Sequence, residues 1–198
     1  MANATYETEV RFGKGANYTN TAIDGEITQF GTARVEKQMW IQAESIKSPG
    51  VSPATFQDVG ISGAWEFADG STKVVICKFP LPTDIDYTEN VTIYLGWSTP
   101  AISKNCRWQV EYLLRKADED VTAVAEDTLT QNEGSSATAN GMTVSDFTIP
   151  AASIDATDNC LLLRISRIGG HGDDTLSNVA NLHGVCFHYV SDKLGTAT

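Results

Sequence analysis

Arg107-Trp108-Gln109-Val110-Glu111-Tyr112-Leu113-Leu114 places Trp108, Val110, Tyr112 and Leu114 on one side of an extended chain and Arg107, Gln109 and Glu111 on the other. That period of two marks a strand with one face in a core and one in water. The same pattern recurs outward from it. Val91, Ile93, Leu95 and Trp97 alternate with Thr92, Tyr94 and Gly96, and the run ends at Ser98-Thr99-Pro100. Downstream, Leu161, Leu163 and Ile165 alternate with Leu162, Arg164 and Ser166, followed by Val185, Phe187 and Tyr189. Residues 142–149 read as a further strand closed by Pro150, and residues 73–79 are apolar on both faces apart from Lys78, as in a central strand. Turn clusters separate these runs at 69–71, 80–86, 134–140, 155–159 and 169–174. Asp69-Gly70, between residues 65–67 and 73–79, reads as a hairpin turn. Seven or eight short strands with irregular connections predict an all-β fold, an antiparallel β-sandwich.

Two segments admit more than one reading. Residues 33–47 fit a strand with Val35, Met39, Ile41 and Ala43 on one side, the reading adopted here. They also fit a helix, which their Glu, Lys, Gln and Ala content favours. In 118–130, Val121, Val124, Ala125, Thr128 and Leu129 follow helical spacing after an aspartate start, which predicts a short helix or an irregular crossover. Residues 1–32 differ from the rest: Gly13, Gly15, Gly25 and Gly31 with many Asn and Thr leave little apolar surface to bury. They are expected to form an N-terminal arm that wraps a partner or stays mobile. The sandwich then covers 33–192 and a short C-terminal tail 193–198.

Composition narrows the function. In 198 residues, 14 Lys+Arg stand against 25 Asp+Glu, a net charge of −11. Such a field has no evident way to grip a phosphate backbone or an anionic membrane. The longest apolar runs, 74–77 and 160–163, are four residues, too short to span a bilayer as a helix. The first residues carry no basic and apolar leader pattern, so no signal peptide is expected, and the charge and short apolar runs leave neither nucleic acid nor membrane as an expected partner. Thr occurs 22 times, in keeping with strands and turns. Cys77, Cys106, Cys160 and Cys186 contain no CxxC spacing, and three of them lie in apolar runs, so free buried thiols are expected.

Catalytic patterns are absent. Gly60-Ile61-Ser62-Gly63-Ala64 misses the nucleophile-elbow spacing, and Arg11-Phe12-Gly13-Lys14-Gly15-Ala16 lacks the helix that a phosphate loop needs. His171, His183 and His188 form no ligand motif; on one strand His183 shares a face with Val185 and His188 lies opposite. The acidic turns Asp84-Ile85-Asp86, Asp118-Glu119-Asp120, Asp155…Asp158 and Asp173-Asp174 match no calcium loop. No enzyme, cofactor or metal is expected. Of the four tryptophans, Trp97 and Trp108 lie in phase with the apolar faces of their strands. Trp40 instead stands among Arg34, Glu36, Gln38 and Gln42, an exposed aromatic on a polar face. Such aromatics with arginine nearby are typical of interfaces, so Trp40, Arg34, Gln38 and Gln42, with Phe12 in the arm, are the candidate partner-contact residues.

The run 159–167, Asn-Cys-Leu-Leu-Leu-Arg-Ile-Ser-Arg, then Asp173-Asp174-Thr175-Leu176, then 182–189, Leu-His-Gly-Val-Cys-Phe-His-Tyr, resembles the closing strands of β-sandwich virion proteins of tailed phages. Residues 65–67, 73–82, 90–100 and 107–114 follow the same order upstream, and the likeness covers roughly 33–190. It implies a jelly-roll-like structural protein, foremost a capsid decoration (cement) protein that forms a homotrimer. Such a protein clamps neighbouring major capsid subunits in a virion assembled in the host cytoplasm. The alternative is a receptor- or glycan-binding fibre head, where exposed aromatics and turn carboxylates contact sugar. The resemblance specifies strands and carries over no functional residue.

Overall fold

The computed structural model describes residues 9–22 and 27–192. Thirteen strands follow in order: β1 (Glu9–Lys14), β2 (Asn17–Ala22), β3 (Ile27–Phe30), β4 (Val35–Gln42), β5 (Thr55–Val59), β6 (Ser62–Phe67), β7 (Thr72–Pro80), β8 (Val91–Ser98), β9 (Asn105–Arg115), β10 (Asp127–Gly134), β11 (Thr143–Ile149), β12 (Cys160–Ile168) and β13 (Ala180–Ser191). Strands β4–β13 make two antiparallel sheets packed face to face, a β-sandwich, and β1–β3 make a separate three-stranded sheet. The smaller has the order β10-β9-β12-β7. The larger has the order β11-β8-β13-β6-β5, with β4 also paired to β13. The long β13 is shared on one side: Ala180–Leu182 pair with β6, and Gly184–Ser191 pair with β4.

The alternation read at 107–114 is the alternation of the core. Trp108, Val110 and Tyr112 point inward from β9, and Ile93, Leu95 and Trp97 face them from β8, all essentially buried. Aromatic contacts bridge the sheets: Phe67 to Trp108 at 5.0 Å, Trp97 to Trp108 at 5.8 Å and Phe79 to Phe187 at 5.6 Å between centroids. The first two are edge-to-face, the arrangement that ring quadrupoles favour. All four cysteines are free, and burial pushes the Cys77 thiol up to about 12 and the Cys186 thiol up to about 11.

Within 33–47, Val35–Gln42 form strand β4, with Lys37, Met39 and Ile41 turned toward the protein and Gln38, Trp40 and Gln42 facing out, while Ala33 and Ala43–Ser45 lie in 3-10 turns at its two ends. Three other expectations are corrected. Asp69-Gly70 is not a hairpin turn: β6 belongs to the larger sheet and β7 to the smaller, so the turn carries the chain between layers. Gly70, at φ +71°, supplies the left-handed residue of that crossover. Second, β7 is an edge strand with a full ladder only to β12. The 47–54 segment runs along its free backbone edge, while Ile76 on its outward face stays exposed. Lys47 and Ile76 exchange both backbone hydrogen bonds, Ser52 accepts from the Val74 N–H, and Val74 accepts from that of Ala54. Third, of the two readings of 118–130 the irregular crossover holds for 118–126, and the helix does not form. The Asp120 carboxylate accepts from both the backbone N–H and the hydroxyl of Thr122, a local bond that competes with helical pairing. From Asp127 the chain is a strand paired with β9 through eight residues.

Within the expected arm, residues 9–30 contain the three-stranded sheet β1-β2-β3, where Tyr18 stacks on Phe30 at 4.4 Å. The Gln29 N–H donates to the Asp192 carbonyl at 2.5 Å, which ties this sheet to the end of β13. Residues 1–8 of the arm and the tail 193–198 lie outside the described residues.

The acidic turns are absorbed by internal bonds. Lys37 pairs with Asp84, which also accepts from Ser191 at 2.9 Å. Arg34 pairs with Asp86 at 2.5 Å and with Glu89 at 2.8 Å. Burial alone would raise both carboxyls, but the bonds to Lys37 and Ser191 hold Asp84 below the usual carboxylate range. Those to Thr88 and Arg34 do the same for Asp86. A carboxyl depressed by folding lends stability that is complete above the unfolded value of 3.8 and drains as pH falls through the lower folded value. Asp84→Asn and Asp86→Asn are therefore expected to flatten the acid limb of stability below about pH 4, read as the urea midpoint against pH. An unchanged limb would detach these pairs from acid stability.

Candidate functional site

The outer face of the larger sheet carries a row of side chains that the core does not claim. Registers across β11, β8, β13 and β4 set Asp146 beside Tyr94, then Cys186, then Trp40. The rows on either side run Val144, Gly96, Gly184 and Gln42, and Thr148, Thr92, His188 and Gln38. Trp40 is 54% exposed, a large value for a tryptophan on a sheet face. Its ring lies over the two glycines. A methyl built on Gly96 would stand 3.5 Å from Trp40 Cζ3 and 3.8 Å from Met142 Sδ, and one on Gly184 would stand 3.6 Å from Trp40 Cε3. The absence of side chains at 96 and 184 thus leaves the trough in which the indole lies. At Gly184 the methyl would also approach the Ile41 carbonyl oxygen to 2.9 Å, so the backbone there tolerates no larger residue without shifting.

Around the indole stand groups of mixed character. Met142 and Val144 are 61% and 50% exposed and extend the apolar surface toward β11. Tyr94 and His188 meet at 5.6 Å between ring centroids, and His188 Nε2 lies 3.5 Å from Glu36 Oε2. Gln38, Gln42, Asp146, Thr92 and Thr148 add amides, a carboxylate and hydroxyls at strand spacing on the same face. Such a surface offers a flat apolar ring bordered by hydrogen-bonding groups. It suits a ligand with one apolar face and polar edges.

Of the residues singled out from sequence, Trp40, Gln38 and Gln42 share this face. Arg34 does not join them, because its guanidinium is held by Asp86 and Glu89. Phe12 is 65% exposed but sits on β1, in the separate three-stranded sheet. Tyr94, Asp146, Met142 and Val144 were missed, and Tyr94 had a signal: it is the one aromatic on the outward phase of β8. The partners on β11 become neighbours only through sheet order, which no local pattern encodes.

The histidines are also placed differently from the simple alternation. A bulge between Leu182 and Gly184 breaks the phase, and His183 Nε2 lies 2.8 Å from Ser98 Oγ. Burial lowers the His183 pKa from 6.5, so its neutral form is favoured. This Ser–His pair has little catalytic character: Ser98 is 3% exposed, and no carboxylate bonds the ring among the described residues. Also among the described residues, no three His, Cys, Asp or Glu side chains converge as a metal site.

No family model matches the chain, and no curated protein matches it. Solved structures do. A CBM35 domain from Cellvibrio japonicus Abf62 aligns over 76% of this chain and 92% of its own, at 9% identity and a TM-score of 0.46. The exo-β-1,3-galactanase of Phanerochaete chrysosporium in complex with galactose aligns over 86% of this chain, at 9% identity and a TM-score of 0.47. This chain spans only 32% of that longer protein. A xylan-binding module, CBM15, aligns over 79% of this chain and 97% of its own, at 14% identity and a TM-score of 0.42. These are likenesses of strand architecture and say nothing of ligand or role.

Proposed function

We propose that the protein is a non-enzymatic binding module that takes a saccharide on the Trp40 face. The observation that carries this reading is the exposed indole seated against Gly96 and Gly184, with amide, carboxylate and hydroxyl side chains in register around it. A pyranose presents an apolar C–H face and an equatorial rim of hydroxyls. The ring would take the first, and Gln38, Gln42 and Asp146 the second. An open, one-sided platform removes little of its ligand from water, so affinity for a single sugar should be weak, of the order of 1 mM to 1 μM in Kd, and stronger for a polymer.

Affinity electrophoresis and tryptophan fluorescence against soluble xylan, β-glucan, mannan and galactan test the reading. At least one polymer should retard the protein, and Trp40→Ala should weaken that binding about tenfold or more, the loss of a central aromatic anchor. Binding to no polymer, or binding indifferent to Trp40→Ala, would sink it.

The shell-protein role implied by the phage resemblance draws on the same surface, since Trp40, Met142 and Val144 form one apolar patch. It differs in expecting a second subunit on that patch. A solution mass near three times 21.4 kDa that reverts to a monomer in Trp40→Ala would favour that reading over saccharide binding.

A further inference from the structure

The outer face of the smaller sheet holds a trough of roughly 730 Å3 that is separate from the Trp40 face. This lies within the range of about 300–1,000 Å3 that accommodates small organic ligands. Its floor comes from outward positions of β7, β9 and β12: Ile76, Leu113 and Leu162, with Leu162 in register with both Leu113 and Lys78. The segment after β9 supplies one wall, where Val121 and Val124 are 59% and 89% exposed. These valines pack in no core, and their apolar surface has no intramolecular use. Tyr112 contributes no ring face to the trough, because its side chain is buried and its hydroxyl donates to Ser153. Without an exposed ring, the trough lacks what would stack a sugar.

The polar groups of the trough are mostly cationic. Arg164 faces Glu111 at 3.4 Å, which leaves that pair neutral. Lys47 and Lys78 also line the trough, and neither has an ion-pair partner among the described residues. In a chain of net charge −11, two uncompensated lysines beside an apolar floor are a local reversal of the field. We propose that this trough binds a free amphiphile with an apolar chain and an anionic head, the class of an alkyl carboxylate. The chain would cover Ile76, Leu113, Leu162 and the two valines, and the head would meet Lys47 and Lys78.

Calorimetric titration of the full chain with monomeric dodecanoate, beside dodecanol of the same length, tests this inference independently of the Trp40 face. Dodecanoate should bind saturably at one site, about tenfold or more tighter than dodecanol, and more weakly as salt rises. Lys47→Glu with Lys78→Glu should remove that preference. Val124→Asp, at a position already in water, should weaken binding about tenfold or more while the thermal midpoint stays put, and Trp40→Ala should change nothing. Equal affinity for acid and alcohol would overturn the assignment, as would no saturable binding up to about 1 mM. Attachment to anionic vesicles without binding of monomeric dodecanoate would overturn it as well, by making the exposed valines a membrane contact.

Discussion

Replacing Arg167 with alanine is expected to cost about 3–5 kcal/mol of stability, the range for removing one partner of a buried ion pair. Neither side chain of the Arg167–Asp174 pair has any exposed surface. The guanidinium meets the carboxylate at both oxygens, Nε to Oδ2 at 2.9 Å and Nη2 to Oδ1 at 2.8 Å. Its other N–H groups donate to the carbonyls of Phe67 at 3.0 Å and Asn178 at 2.6 Å, and to that of Leu176. One side chain on β12 thereby fixes the end of β6 and the connection that leads into β13. Alanine would leave the buried carboxylate without its counter-charge, held only by the backbone N–H groups of Arg107 and Leu176, and several carbonyls without their donor. At about 2–4 °C per kcal/mol for a chain of this size, the thermal midpoint should fall by roughly 10 °C. Lysine should not rescue it, because a single ammonium cannot reproduce the two-pronged contact. Arg167→Met with Asp174→Leu should recover part of the loss, since no charge then stays buried. A loss under about 1 kcal/mol in Arg167→Ala, measured by urea unfolding, would mean that water reaches this pair.

What the sequence revealed and what it hid divide along a physical line. Alternation within one strand is local, so the inward residues of β8, β9 and β12 were legible, and Trp40 could be set apart as an outward aromatic on β4. Pairing between strands is non-local. Asp69-Gly70 has the residues of a hairpin, yet β6 finds its partners in β5 and β13, and only the sheet order shows the turn to be a crossover. The apolar residues of β7 carry the same ambiguity: they read as a central strand, yet β7 lies at the sheet edge, its free edge bonded to the 47–54 segment and its outward Ile76 exposed. The period-3.6 pattern at 121–129 misled for another reason. Val121 and Val124 have no core to face, so their spacing reflects the trough wall and not a helix seam. The candidate site followed the same division. Trp40, Gln38 and Gln42 share one strand and were found together, whereas Met142, Val144 and Asp146 reach them across two other strands. Arg34 looked available by composition, and only folding brings Asp86 and Glu89 to it from fifty residues away.

The tryptophans should separate the core from the candidate surface in a single series of substitutions. Trp97→Ala and Trp108→Ala are each expected to cost about 3–5 kcal/mol, because both rings are fully enclosed and lie edge-to-face between the two sheets. Phenylalanine should distinguish them. Trp97 Nε1 donates to Ser145 Oγ at 2.9 Å, and Ser145 is fully buried, so Trp97→Phe loses volume and also orphans a hydroxyl. Trp108 Nε1 is buried without a hydrogen-bond partner among the described residues, so Trp108→Phe removes an unsatisfied donor along with the volume. The second exchange should therefore be milder by about 1 kcal/mol or more. Trp40→Ala should cost less than about 1 kcal/mol, since half of its surface already faces water and its ring is seated against two glycines. A residue that is exposed, seated over two glycines and nearly dispensable for folding has its surface free for something outside the chain. If Trp40→Ala proved as costly as Trp97→Ala in urea unfolding, the indole would be a fold element and the saccharide reading would lose its anchor.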